Sequence, residues 1–311
     1  MMTKTYIVLL VLTMVGCTTA LQTAEPVTTE KGTVLIVLSS VDRLQLRDEN
    51  TYTTGFYFSE LMTPLQMLLD AGYTVEFANP AGNVPVMDIR SDNSSYFGDI
   101  DGASDEERAA ARAEYAELRA LCSELGVCGA AGEVRGTQPA RELAEVVAGI
   151  ESGESDYAGV MVPGGHAPMQ DLIVDPDYGT LLRHYAGRKP IGLICHAPVS
   201  LIAALPDPQS FIAAFEADDI AAMETQRADW PFAGAEIAVF TTAEEQVAEG
   251  GQLGGEVRFY PDAILEAAGA TVTRAPEWQS NSIVSGLLVT GQNPGTHTDF
   301  GNALLELLES M

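Results

Sequence analysis

The sequence predicts an α/β domain whose mainly parallel, doubly wound sheet is covered by helices on both faces, and three observations point to it. Short β-type apolar runs alternate with helical patterns from residue 33 to 309, as βαβ units require. The chain has 311 residues, 46% of them hydrophobic, which suffices for the core of one large α/β domain. One apolar run, IGLICHAP at 191–198, passes from strand into helix through a single cysteine, the strand, turn and helix of a nucleophile elbow.

The elements follow in order. Residues 1–17, MMTKTYIVLLVLTMVGC, carry one Lys4 before an apolar run from Tyr6 to Met14 that is too short to span a bilayer. The run reads as a signal peptide ending in Val15-Gly16-Cys17. That ending is similar to a bacterial lipobox, which would lipidate Cys17 as the mature N-terminus; an ordinary secretory cleavage at a nearby Ala is the alternative. Residues 18–32 are polar and Thr-rich, as a tether should be. The domain itself is expected over 33–311, in a periplasmic protein held to a bacterial membrane, the outer one, only through the N-terminal lipid.

Strands are expected at Thr33–Leu38, Thr74–Ala78, Ala158–Val162, Pro190–Ile194, Glu236–Phe240 and Ser282–Thr290. A helix between the first two follows from Leu61, Leu65, Leu68 and Leu69 at helical spacing, with Pro64 in the first turn and Gly72 as the stop. Later helices are expected at His196–Leu205, Val257–Ala268 and Thr298–Leu308. Residues 91–153, with DEERAAARAEYAELRALCSEL, read as an inserted helical lid. Residues 206–234, with Phe211, Phe215, Trp230 and Phe232, read as a helical cover at the sheet edge.

Charge narrows the partners. Sixteen Lys and Arg stand against 44 Asp and Glu, a formal charge of −28, so nucleic acid is excluded as an expected partner and anionic lipid disfavoured as a docking surface. The four cysteines fall into distinct contexts. Cys17 is taken by the lipid, Cys122 and Cys128 lie six apart around Gly126, which can end the helix and let the two form a disulfide, and Cys195 is left as a lone thiol.

Cys195 is the candidate nucleophile. An elbow thrusts its side chain out at the strand's carboxyl end, and the N-terminus of the next helix is expected to lower its pKa and leave the His196 N–H free as an oxyanion donor. A second strand ends at Val162 and enters PGGHAPMQDL at 163–172, where Gly164 and Gly165 allow close backbone approach and can supply the other donor. His166, His184, His196 and His297 are dispersed without ligand-like spacing, so no metal site is expected, and the chemistry below needs no cofactor.

Five motifs, TGFYFSE at 54–60, AGYTVEFANPAG at 71–82, VPGGHAPMQDL at 162–172, GLICHAP at 192–198 and LLVTGQNPGT at 287–296, together resemble the ThiJ/PfpI superfamily, within the flavodoxin-like, class I glutamine amidotransferase-like fold. More narrowly they look like its glutathione-independent glyoxalase III branch, which also holds stress chaperones and deglycases. The resemblance implies Cys195 as nucleophile, His196 as adjacent acid and base, and Glu60 as the carboxyl facing the thiol; Glu60 could equally just cap a helix N-terminus. The third triad member falls on IAVFTTAEEQ at 237–246, where Glu245 has the matching offset and Glu244 is its neighbour. Folds of this kind commonly self-associate, so a homodimer is one expected state.

The expected activity is cysteine-dependent conversion of a small 2-oxoaldehyde such as methylglyoxal to a 2-hydroxy acid, with deglycation as a related activity. Two rivals stand beside it: an amidase or peptidase using the same elbow, and a holdase chaperone or redox sensor in which Cys195 does not turn over.

Overall fold

The computed structural model describes residues 31–311; the expected signal peptide and lipidation site at Cys17 lie outside them. Lys31 and Gly32, expected in the tether, are part of the fold: Lys31 donates its N–H to the Gly72 carbonyl at 3.2 Å and its ammonium to Glu309 at 2.6 Å. Among the described residues no helix is long and apolar enough to cross a membrane.

The chain begins with β1 (Thr33–Val37), followed by a small hairpin of β2 (Arg43–Gln45) and β3 (Thr51–Thr53), then α1 (Phe58–Asp70) and β4 (Thr74–Asn79). Next come α2 (Asp105–Glu124), β5 (Arg141–Glu142), α3 (Leu143–Ser152), β6 (Gly159–Val162), α4 (Pro176–Tyr185) and β7 (Ile191–Ile194). A 3₁₀ segment over Ala197–Ala204 leads to α5 (Pro208–Glu216), α6 (Ile220–Gln226), β8 (Glu236–Ile237), α7 (Thr242–Ala248) and α8 (Pro261–Ala268). The chain closes with β9 (Thr271–Val272), β10 (Ser282–Ser285), β11 (Leu288–Gly291) and α9 (His297–Glu309).

Seven strands form the main sheet in the order β10, β11, β7, β6, β1, β4, β5, parallel throughout except for the β10–β11 edge pair. The central strands β6 and β7, and β1 after Thr33, are without polar residues because both faces are covered. In β1, Val34 and Ile36 face the core under α1 and α9 with Leu61, Leu65, Phe300 and Leu304. Leu35 and Val37 face the opposite core with Leu143, Tyr178, Leu182 and Ile202. This is the period of two that strand geometry dictates.

Three expectations change. The stretch 91–153 is not a single lid: its last part supplies β5 and α3, which extend and cover the main sheet, while α2 packs outside α1. Residues 282–290 split into two antiparallel strands around Gly286, whose φ of +62° suits a tight turn. Of Glu236–Phe240, only Glu236 and Ile237 pair as a strand, with β9 and outside the main sheet. The rest runs past β11 to the elbow after β7: Ala238 donates its N–H to Thr290 Oγ1 of β11 and Phe240 its N–H to the Cys195 carbonyl, both at 2.9 Å.

Within 91–153, Cys122 and Cys128 are joined in a disulfide. The buried Arg119 closes the same loop, donating to Asp92 and to the carbonyls of Gly129, Ala130 and Glu133. Three backbone carbonyls and the Asp92 carboxylate satisfy a guanidinium that would otherwise be costly to bury.

Candidate active site

Cys195 sits immediately after β7 with a φ of +63°, a conformation that non-glycine residues adopt only where the surroundings impose it. Its N–H donates to Gly291 of β11 at 2.8 Å and its carbonyl accepts from Phe240, so both peptide groups of the elbow are pinned. It is the one free cysteine among the described residues and is almost fully buried. The helix it enters is a 3₁₀ segment with Pro198 in its first turn.

His196 places Nδ1 3.2 Å from Cys195 Sγ and Nε2 2.8 Å from Glu245 Oε2. Burial holds the His196 imidazole down at about 4, with nearby His166 adding to the effect and Glu245 opposing it. The ring is therefore neutral near pH 7. Because a carboxylate only accepts, the proton belongs on Nε2 and the Nδ1 lone pair faces the thiol, a tautomer assigned from the network. Burial pushes the Glu245 carboxyl up, but His166 and His196 outweigh it and hold it well below the usual carboxylate range.

Glu245 reaches this position because Thr241 caps α7. Thr241 Oγ1 accepts from the Glu244 N–H, and Glu244 Oε2 accepts from the Thr241 N–H and hydroxyl, a capping box that fixes the first turn. The two adjacent glutamates thus have separate tasks. Glu244 Oε1 accepts from Asn293 Nδ2 at 2.7 Å, from Gln292 Nε2 and from the Trp278 N–H, tying LLVTGQNPGT to α7.

On the other side of the thiol lies Glu60, fully buried in the first turn of α1. Its Oε2 accepts the Gly164 N–H at 3.0 Å, whereas Oε1 has no aligned hydrogen-bond partner among the described residues. Burial raises the Glu60 carboxyl to about 8, with the Cys195 thiol and the Gly164 N–H pulling the other way. Burial and the Glu60 carboxyl likewise push the Cys195 thiol well above its usual range, against the Gly165 N–H. The expected lowering of the thiol pKa by the helix N-terminus is thus outweighed. Two acids in one dry site cannot both ionise at neutral pH, and Glu60, raised to about 8, keeps its proton there beside the protonated thiol.

The glycine turn also needs revision. Gly164 does not offer a free oxyanion donor, since its N–H is committed to Glu60. Its own requirement is closeness: a Cβ there would lie 2.6 Å from both Cys195 Cβ and Glu60 Oε2. Gly165, with φ +84°, directs its N–H at the thiol, and a Cβ on it would lie 2.0 Å from the Gly55 carbonyl oxygen.

Three residues escaped the sequence reading. His166 Nε2 lies 2.8 Å from Glu245 Oε1, and its ring sits 3.9 Å from that of His196. Contrary to the expectation that the histidines are dispersed, the ligand atoms of His166, His196 and Glu245 lie within 4.8 Å of one another. That is a donor set of the type divalent metals use, though each carboxylate oxygen is already paired with a ring nitrogen. Tyr57, just before α1, donates to Tyr96 from the 91–153 segment, and the Tyr57 and Tyr96 hydroxyls both feel the charges of Glu60 and Cys195. Tyr57 stood within TGFYFSE in plain view; nothing in sequence distinguished Tyr96.

No family model matches the chain. It is 22% identical over 285 residues to the protein/nucleic acid deglycase HchA of Staphylococcus aureus strain bovine RF122, covering 90% of this chain and 82% of that protein. The HchA proteins of other strains of that species match equally. Among solved structures, the 24 kDa rapid encystment protein of Francisella tularensis superposes with a TM-score of 0.57 at 21% identity, over 89% of this chain and 99% of the other. Glyoxalase III from Candida albicans superposes with 0.56 at 17% identity, over 91% and 99%. These superpositions establish the fold, the sequence likeness to the HchA deglycases runs along nine-tenths of the chain, and the motif cysteine stands in a strained elbow: together they support the resemblance to the ThiJ/PfpI superfamily that the five motifs carry.

Proposed function

We propose that the protein converts 2-oxoaldehydes such as methylglyoxal to 2-hydroxy acids without glutathione, using Cys195. The observation that carries the reading is the placement of one thiol between two kinds of proton carrier. On one side is the neutral imidazole of His196 backed by Glu245, and on the other the half-satisfied carboxyl of Glu60.

The steps balance. Cys195 Sγ bonds to the aldehyde carbon as its proton passes to His196 Nδ1, and the carbonyl oxygen becomes an alkoxide facing the Gly165 and His196 N–H groups. The resulting hemithioacetal is protonated on oxygen from His196. The ionised fraction of Glu60 removes the hydrogen from that carbon to give an enediolate and returns the proton to the neighbouring carbon, while the hydroxyl proton of the first carbon passes to the oxygen of the second, leaving a thioester. Water then cleaves the S–C bond, releasing the 2-hydroxy acid and restoring the thiol. One carbon is oxidised and its neighbour reduced, so no external electron carrier enters.

The name of the HchA relatives supports deglycation as a related activity, since a sugar-like adduct of a 2-oxoaldehyde presents the same carbon to the thiol. Amide hydrolysis by the Cys195, His196 and Glu245 relay is the rival; it gives no task to the second, unpaired oxygen of Glu60. The same reading puts the enzyme outside the cytoplasm, tethered through Cys17, and the Cys122–Cys128 disulfide supports an oxidising compartment.

The test is a panel of 2-oxoaldehydes, glycated amines, amides and peptides offered to the wild type and to Cys195→Ser. Hydroxy-acid formation lost in the variant supports the reading. Amide cleavage without hydroxy-acid formation rejects it.

A further inference from the structure

We infer that His166 is a positioning residue of this site, holding the Glu245 carboxylate so that it fixes the tautomer of His196 toward Cys195; the inference rests on the site reading above. Glu245 is fully buried and lies at the end of the relay, where a carboxylate can rotate unless both of its oxygens are held. Oε2 meets His196 Nε2 and Oε1 meets His166 Nε2, each at 2.8 Å. The second bond is what makes the first directional. Without it, Oε1 is a buried ionised oxygen lacking a donor, and the carboxylate gains by turning so that both oxygens compete for the one remaining donor, His196 Nε2, whose orientation is then no longer fixed.

His166 is itself held by its surroundings. Its N–H donates to Thr54 Oγ1 at 3.3 Å, its ring abuts Tyr52 edge-on at 5.3 Å, and its other face lies on the His196 ring, which stacks on Phe240 at 4.2 Å. The Arg90 guanidinium lies over the Tyr52 ring at 4.3 Å. A ring clamped in this way can orient a carboxylate; a solvated one could not.

The position predicts a pH effect with a definite sign. The titratable groups around His196 and Glu245 are Cys195 at the elbow, Glu60 from α1, Glu244 from α7, Tyr52 from β3 and His166 itself, with Asp88 and Arg90 behind Tyr52. Removing the His166 donor leaves all the others in place and returns the full carboxylate charge to His196. The imidazolium form is then better stabilised, so protonation of His196 sets in at higher pH.

The experiment uses the full-length chain and reads Cys195 directly. The rate of Cys195 alkylation by iodoacetamide is followed against pH by mass spectrometry of its peptide, alongside kcat and KM for methylglyoxal. His166→Phe and His166→Asn both lack a donor that reaches Glu245, while His166→Gln puts an amide N–H where Nε2 stood. Expected are an acid limb displaced upward by roughly half a unit to one unit in the Phe and Asn variants, kcat lowered about tenfold to a hundredfold with little change in KM, and recovery of most of both in Gln. Alkylation profiles of folded Phe and Asn variants that superpose on the wild type overturn the inference, as does a folded Gln variant as impaired as Asn. Displaced alkylation profiles in a protein that turns over no oxoaldehyde leave this inference standing and reject the proposed function instead.

Discussion

The Gly164 N–H donates to Glu60 Oε2 at 3.0 Å, a bond across 104 residues that ties the glycine turn after β6 to the acid of α1. The turn and the acid therefore move as one unit beside Cys195, and only the other oxygen of Glu60 remains for chemistry. Glu60→Gln keeps an oxygen for Gly164 while removing the acid. It should fold normally and lower kcat by about 10² to 10⁴-fold, the usual contribution of a positioned proton carrier. Methylglyoxal turnover with an unchanged near-UV spectrum checks this, and a Gln variant of near wild-type rate refutes the role given to Glu60.

Glu245 invites a graded comparison. Glu245→Gln retains one oxygen and offers an amide N–H where the second acceptor stood, so one histidine keeps its partner and the other faces a donor. Glu245→Ala leaves two buried ring N–H groups unsatisfied, each worth roughly 1–3 kcal/mol. Denaturant unfolding should rank wild type above Gln and Gln above Ala, and turnover should follow the same order, with even Ala retaining more activity than Cys195→Ser. Equal stabilities across the series contradict the network.

Much of this site was legible in sequence because it is local. Cys195 and His196 are adjacent, the apolar run before them could only be a buried strand, and a cysteine at the strand-to-helix change implied an elbow. Glu60 and Glu245 entered through motif offsets, since no physical rule in the sequence separates Glu245 from Glu244; the capping box of Thr241 does so only once α7 has formed. His166 was invisible for a related reason. Its partner is 79 residues away, and the bond exists because α7 begins beside the turn that follows β6. Burial was the other hidden variable. Helix-terminus reasoning predicted a lowered thiol pKa, but enclosure of Cys195 with Glu60 reverses it.

The Cys122–Cys128 bridge closes a short loop at the end of α2, and both residues are fully buried. Replacing the pair by Ser should cost roughly 2 kcal/mol from lost loop restriction in the unfolded chain, with a further penalty for burying two hydroxyls. The loop continues through Val134, whose carbonyl accepts the Met87 N–H, to Phe56 beside Tyr57. The double Ser variant should therefore show a lower Tm and a raised KM with a smaller change in kcat. A variant with wild-type Tm contradicts the stabilising role.

Proton linkage gives the last prediction, and the buried acid and imidazole act in opposite pH windows. The folded-state value of Glu60 is about 8 against an ordinary 4.5. Below 4.5 both folded and unfolded chains hold this proton. Between 4.5 and about 8 the unfolded chain has released it while the folded one retains it, so stability declines as pH rises through that window and levels off above it. Glu60→Gln removes the decline, and its stability advantage over wild type should grow from about pH 4.5 to about pH 8. His196 runs the other way. Held at about 4 against an ordinary 6.5, it leaves stability intact above 6.5 and erodes it as pH falls toward 4, when the unfolded chain takes up a proton that the folded site refuses; the depressed Glu245 continues the loss below its ordinary 4.5. Urea unfolding of wild type, Glu60→Gln and His196→Asn across this range separates the two effects: the Gln curve should diverge from wild type on the alkaline side and the Asn curve on the acid side. Three parallel curves contradict the buried, charge-excluding site from which both predictions follow.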